Sequence, residues 1–228
     1  MELIKKGKTK DVYKLKDGNV LLKFKDTVTG HASGEKDPGG NLVVGEVKGV
    51  GSNALKVTVY YFELLKKNKI VSHYVSSDIS KSEMTVMPAM PFGKGLEFVC
   101  RFIATGSFYK RFALYCKDGD ILDPCVFEVT LKDDDRDDPP ANKEILISLK
   151  LLTDEQYETI KKETIKICNI VEEDLKAKGM ILYDIKLEFG LVDGKVTLID
   201  EISAGNMRVF KGGKKLDYEM LSNLILKV

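Results

Sequence analysis

The most regular pattern of apolar and polar positions runs from Thr153 to Lys178. There Tyr157, Ile160, Ile167, Val171 and Leu175 recur at helical spacing and predict an amphipathic helix. Thr153 and Gln156 have the spacing of a capping box, Asp154 and Glu155 suit the positive helix start, and Gly179 suits the position just past the end. The period then switches to that of a strand. In LYDIKLEFG, residues 182–190, Leu182, Asp184, Lys186, Glu188 and Gly190 share one face, and Tyr183, Ile185, Leu187 and Phe189 share the other. Asp193-Gly194 turns this strand back into VTLIDEIS.

The first half reads as β-rich. A segment around Glu2–Lys6 precedes KDVYKL and NVLLKFKD, which flank the turn Lys16-Asp17-Gly18-Asn19 and predict a hairpin. KIVSHYVS, KSEMTVMPAM and LEFVCRFIA predict further strands, and residues 53–66 carry a helix-like pattern weakened by Val57, Val59, Tyr60 and Tyr61. Residues 30–51 hold seven glycines and few apolar side chains, so this stretch is expected to be a mobile loop. The Pro/Gly stretch PAMPFGKG predicts a junction between two lobes, residues 1–90 and 91–228.

Composition narrows the function. Lys+Arg (36) and Asp+Glu (35) nearly cancel, which argues against general binding to nucleic acid or to a membrane surface. No apolar run has the length of a bilayer span, and MELIKKGKTK lacks a signal-peptide core. Cys100, Cys116, Cys125 and Cys168 show no CxxC spacing, and only His31 and His73 could assist them, so free thiols in a reducing cytoplasm are expected rather than a zinc site.

The register of the hairpin after Gly190 decides what its acids can do. A two-residue turn pairs Val192 with Lys195 and sets Ile199 opposite Glu188. A three-residue loop, Asp193 to Lys195, pairs Val192 with Val196 and sets Asp200 opposite Glu188. LIDEIS is apolar up to Asp200, and an acid ending a buried strand needs a partner, so the second register is the expected one. Facing carboxylates repel unless a cation neutralises them, and they are the hard ligands that Mg²⁺ prefers when it arrives with phosphates. A solvated hairpin face is the plain alternative.

Other pieces carry weaker chemistry on their own. GKTK, residues 7–10, places Lys8 and Lys10 on either side of Thr9 in a tight turn whose NH groups can hold phosphate, although it is no Walker loop. RFIATGSFYKR, residues 101–111, offers Arg101, Ser107, Lys110 and Arg111 to a phosphate monoester, and Arg208 lies further on. KDDDRDDPP, residues 132–140, reads by composition as a solvated acidic loop.

In order, these motifs resemble the SAICAR synthetase (phosphoribosylaminoimidazole-succinocarboxamide synthase) family over nearly the whole chain. GKTKDVY is similar to the family opening GKxKxVY, RFIATGSFYKR to RNxxAGSxxKR, and KDDDRDDP to its K-N/D-D-x-x-x-D-P loop. LYDIKLEFG and LIDEIS resemble the D-x-K-x-E-F-G and DE-x-S pair. The resemblance implies an α+β fold with a small β-rich, kinase-like N-terminal lobe, a larger α/β C-terminal lobe and an ATP cleft between them. It implies an ATP-dependent ligase of purine biosynthesis that joins the carboxylate of a carboxyaminoimidazole ribotide (CAIR) to the amine of L-aspartate through an acyl phosphate. Lys8, Thr9, Lys10 and Lys186 would hold ATP phosphates, the segment of Met87, Ala89 and Met90 the adenine, and Glu188 and Asp200 Mg²⁺. Arg101, Ser107 and Arg208 would take the ribotide phosphate, and Lys132 and Asp138 would sit with Lys186 near the reacting groups. The glycine-rich stretch would cover the substrates, and a cytoplasmic homodimer is implied.

The chain departs from the family pattern on the substrate side. Ala204-Gly205 stands where the family has Pro-Asp, and Arg208-Val209-Phe210-Lys211 replaces R-L-W-D. A further arginine is missing, which leaves Lys211, Lys214 or Lys215 to supply its charge. A Mg·ATP phosphotransferase, a ligase for a different carboxylate and a degenerate nucleotide-binding regulator are the competing readings.

Overall fold

The computed structural model describes residues 1–38 and 40–227. An antiparallel sheet of order β1-β2-β3-β7-β6 is built from β1 (Glu2–Lys6), β2 (Lys10–Lys14), β3 (Val20–Phe24), β6 (Tyr74–Asp78) and β7 (Glu83–Val86). The predicted β2–β3 hairpin is present, its turn held by Asp17, whose Oδ1 accepts from the Asn19 amide at 3.0 Å.

Between these strands lie β4 (Thr27–Gly30), β5 (Leu42–Glu46) and the helix α1 (Val50–Lys67). The expected loop over residues 30–51 is therefore corrected. Helix α1 already begins at Val50, and Gly30 at the end of β4 pairs with Leu42 at the start of β5 in a two-stranded ladder. Backbone pairing needs no apolar face, so composition concealed it. Helix α1 starts earlier than predicted, and its unfavourable Val57 and Tyr61 are buried with Phe62 and Leu65, so packing outweighs propensity.

The second sheet has the order β10-β9-β11-β13-β14, with β8 and β12 also paired to β11. Its strands are β8 (Met90–Pro91), β9 (Leu96–Ile103), β10 (Ile121–Leu131), β11 (Ile181–Val192), β12 (Lys195–Ile199), β13 (Met207–Lys211) and β14 (Lys214–Lys215). The helices are α2 (Gly106–Phe112), α3 (Lys143–Ser148), α4 (Asp154–Ala177) and α5 (Tyr218–Leu226). The capping box of α4 is formed, and Ile160, Ile167, Val171 and Leu175 are buried against β9 and β11. One hydrophobic core runs from Leu22 and Phe24 through Phe98 and Leu187 to Ile225. Among the described residues, no helix is long and apolar enough to cross a membrane.

The expected three-residue loop between β11 and β12 is also corrected. Val192 pairs with Lys195 and Glu188 with Ile199, the register of a two-residue turn. Asp193 and Gly194 have φ of 49° and 75°, the paired positive values of a type I′ turn that matches strand twist.

Candidate functional site

The face of β11 that carries Asp184, Lys186 and Glu188 is lined by charge from its neighbours. Asp184 pairs in register with Arg101 of β9 on one side and Arg208 of β13 on the other. Its Oδ2 accepts from Arg101 Nη1 at 2.8 Å and Arg208 Nη1 at 2.6 Å. Arg101 also donates through Nε to Glu128 of β10 at 2.6 Å and through Nη2 to Ser107 Oγ at 3.1 Å. Arg208 donates through Nη2 and Nε to both carboxylate oxygens of Asp37, at 2.5 and 3.2 Å. Charges thus alternate across four strands, from Glu128 to Arg101, Asp184 and Arg208, and on to Asp37. Each buried guanidinium has carboxylate partners, the condition under which burial of charge is tolerated. Burial works against the charge on Arg208, but Asp184 and Asp37 hold it firmly protonated.

A second charged group lies further along the same face. Lys186 Nζ donates to Glu97 at 2.7 Å, whose other oxygen accepts from Thr130. Lys132 Nζ is 2.6 Å from Glu188 Oε1. Lys10 Nζ lies 2.8 Å from Asp200 Oδ1 and also contacts Glu201. Asp200 is not directly opposite Glu188, yet it follows the last residue of β12 with φ of 65°, which ends the alternation of that strand. The two acids remain electrostatically linked. Burial and the Asp200 charge raise the Glu188 carboxyl, against the pull of Lys132. Burial would raise Asp200 too, but Lys10 and Lys132 outweigh it and bring it down to about 2. The lysines are held in the charged form by these acids although burial opposes it. Two repelling carboxylates set among lysines are a donor set that fits a hard divalent cation carrying phosphates.

The GKTK turn closes on itself, with the Gly7 amide donating to the Lys10 carbonyl at 2.9 Å. The Thr9 carbonyl accepts from the Lys25 amide at 2.8 Å. Lys8 pairs with Asp134 at 2.7 Å and donates to the Asn41 carbonyl. Asn41 in turn donates to Asp138, whose other oxygen accepts from the Asp133 amide. The acidic loop therefore touches both GKTK and the β4–β5 connection. Met87 donates its amide to the His73 carbonyl at 2.7 Å, and Met90, next to Ala89, begins β8 against Leu191.

Some of the predicted residues thus gather in two groups, while Lys8 and Asp138 meet through Asn41, Lys186 pairs with Glu97, and Met87 and Met90 lie apart from these. Lys10, Lys132, Glu188 and Asp200 share one centre, and Arg101, Ser107 and Arg208 share another, with Asp184 joining the arginines. Glu97, Glu128, Asp37 and Glu201 were not singled out from the sequence. Glu97 and Arg101 lie on one face of an apolar strand, and that alternation was the available signal. Asp37 had none.

The SAICAR synthetase family model matches residues 3–223. A phosphoribosylaminoimidazole-succinocarboxamide synthase of Clostridium tetani is 49% identical over an alignment of 229 positions that covers 100% of this chain and 100% of its own. The enzyme of the same name from Sulfurisphaera tokodaii is 37% identical and covers 93% of this chain and 86% of its own. Among solved structures, a SAICAR synthetase in complex with ADP superposes with a TM-score of 0.87 at 25% identity, covering 98% of this chain and 97% of that one. The fold and these relatives define an ATP-dependent C–N ligase of purine biosynthesis. The chain belongs to the SAICAR synthetase family.

Proposed function

We propose that residues 1–90 and 91–228 act as two lobes of kinase-like arrangement that hold ATP in a cleft between them, and that the enzyme joins CAIR to L-aspartate there. The observation that carries this reading is the meeting of Lys10, from the first sheet, with Asp200 at the end of β12. It sets the GKTK turn beside Asp200, one of the two acids read here as metal ligands.

Lys8, Thr9 and Lys10 hold the ATP phosphates, and backbone groups around Met87, Ala89 and Met90 read the adenine. Glu188 and Asp200 are the ligands for Mg²⁺, which when bound screens the phosphate charge. Lys186 exchanges Glu97 for phosphate oxygens. Arg101, Ser107 and Arg208 hold the ribotide phosphate, and Lys132 and Asp138 sit beside the reacting groups. In the first step a CAIR carboxylate oxygen attacks the γ-phosphorus, the bond to the ADP oxygen breaks, and an acyl phosphate forms. In the second the aspartate amine attacks the acyl carbon, the carbon–oxygen bond to phosphate breaks, and the nitrogen loses a proton. Oxide is too poor a leaving group for direct amide formation, so the protein contributes positioning and charge neutralisation. A cytoplasmic homodimer completes the proposal.

ADP release from Mg·ATP, measured alone, with CAIR, with L-aspartate and with both, tests it. Release that requires both, with the succinocarboxamide as product, is the expected result. ATP binding without turnover in any mixture would instead assign a different carboxylate acceptor or a regulatory role.

A further inference from the structure

The bidentate edge of Arg208, its Nε and Nη2, is the edge a phosphate needs for paired hydrogen bonds, and Asp37 holds it with both carboxylate oxygens. Asp37 is not a neighbour in sequence. It comes from the connection between β4 and β5, where its amide donates to the Thr29 carbonyl at 3.1 Å. A second cation shares the same carboxylate, since Lys215 Nζ lies 3.2 Å from Asp37 Oδ2. The aspartate and the arginine side chains are only 10% and 9% exposed, whereas Lys215 is 35% exposed. Nη1 of Arg208 is meanwhile tied to Asp184. A cavity of about 180 Å³ opens beside Asp37 and Lys215, reaching Lys48, Asn53 and Tyr218. It exceeds the ~150 Å³ that accommodates a benzene-sized molecule, so the Asp37 side chain has space to withdraw.

We infer that Lys215 and Arg208 form one seat for the phosphate monoester of the substrate, and that Asp37 is an internal anion occupying that seat until the phosphate replaces it. This rests on the assignment of Arg208 to the ribotide. Lys215 is a binding residue in this scheme, and it supplies the positive charge that the sequence lacks as a second arginine. The geometry of the exchange is simple: a carboxylate with two acceptor oxygens leaves, and a phosphate with three terminal oxygens bonds the guanidinium edge and the ammonium together.

The test uses Asp37→Asn and Lys215→Met in the full chain, with inorganic phosphate as the probe in calorimetry and KM measured separately for ribotide, L-aspartate and ATP. Asp37→Asn keeps the shape and one acceptor while removing the competing charge. It should bind phosphate about tenfold more tightly and lower the ribotide KM to match, the scale of one charge-assisted hydrogen bond. Lys215→Met should weaken phosphate binding and raise the ribotide KM by a similar factor, with the KM for ATP unchanged. Thermal melts of both variants identify a folding defect, and Lys215→Met, altered at a part-exposed side chain, keeps the test decisive if Asp37→Asn unfolds. A higher ribotide KM in Asp37→Asn would overturn the inference by making Asp37 a direct substrate contact. A change confined to the KM of L-aspartate would overturn the phosphate assignment. Phosphate affinity that both variants leave unaltered would overturn the seat itself. Calorimetry needs no turnover, so a wild-type chain that binds phosphate in this pattern but forms no amide would sink the proposed reaction and leave the seat standing.

Discussion

Lys10 Nζ and Asp200 Oδ1 are 2.8 Å apart although 190 residues separate them, and this ion pair joins the β2 end of the first sheet to the end of β12. The same ammonium contacts Glu201, so loss of the Asp200 charge leaves Lys10 with a carboxylate partner. Asp200→Asn should therefore keep the fold and lose the metal-ligating charge. Turnover is expected to drop about a hundredfold or more, the usual scale for removing one preorganised electrostatic contact. Glu188→Gln should behave alike, and steady-state ADP release alongside a thermal melt checks both. Wild-type rates in either variant would remove these acids from the chemistry.

The parts of this arrangement that were legible in the sequence are the local ones. Helix α4 announced itself through Thr153, Gln156 and Gly179, and the face of Asp184, Lys186 and Glu188 followed from alternation alone. The register of β12 did not, because one residue in a turn moves every partner, and the rule that an acid at a strand end seeks a partner across the ladder misled. Asp200 found Lys10 instead, with a left-handed backbone that no pattern predicts. Glu128 and Asp37 were hidden for a different reason. Their partners are Arg101 and Arg208, which pairing across the sheet and a loop rich in glycine bring close.

Asp184 is the shared carboxylate of two buried arginines, so its charge should matter for stability as well as for substrate. Asp184→Asn leaves Arg101 and Arg208 facing each other with one neutral amide between them. Breaking a buried pair in this way costs about 3 kcal/mol or more. Urea unfolding should show the midpoint falling without a change in slope, and Ser107→Ala, which removes only one hydrogen bond to Arg101, should cost about 1 kcal/mol.

The thiols give a prediction in pH. Burial first, and then the neighbouring Cys100, push the Cys125 thiol up to about 11. The thiolate is the form that alkylates, and at pH 8 it is about one part in a thousand of such a group. Iodoacetamide labelling of Cys125, followed by peptide mass spectrometry, should rise about tenfold for each pH unit between 8 and 10. A plateau near pH 9 would contradict the placement of this side chain.

Gly205 stands where the family pattern has an acid, and Tyr218 of α5 explains why no side chain fits there. A Cβ at 205 would lie 2.7 Å from the Tyr218 hydroxyl and 3.2 Å from Ser203 Oγ. The Ser203 hydroxyl is already committed, donating to Glu201 at 2.5 Å while accepting from the Gly205 amide at 2.9 Å. Gly205→Ala should therefore force the tyrosine away and cost about 1–3 kcal/mol, as overpacking does. Removing the hydroxyl relieves the closest contact, so Tyr218→Phe in the same chain should return most of the lost stability. The double-mutant cycle measures that coupling directly, because each single change acts on the same few ångströms of space. Additive effects, with no recovery in the double variant, would mean that the backbone at Gly205 rather than the tyrosine excludes the side chain.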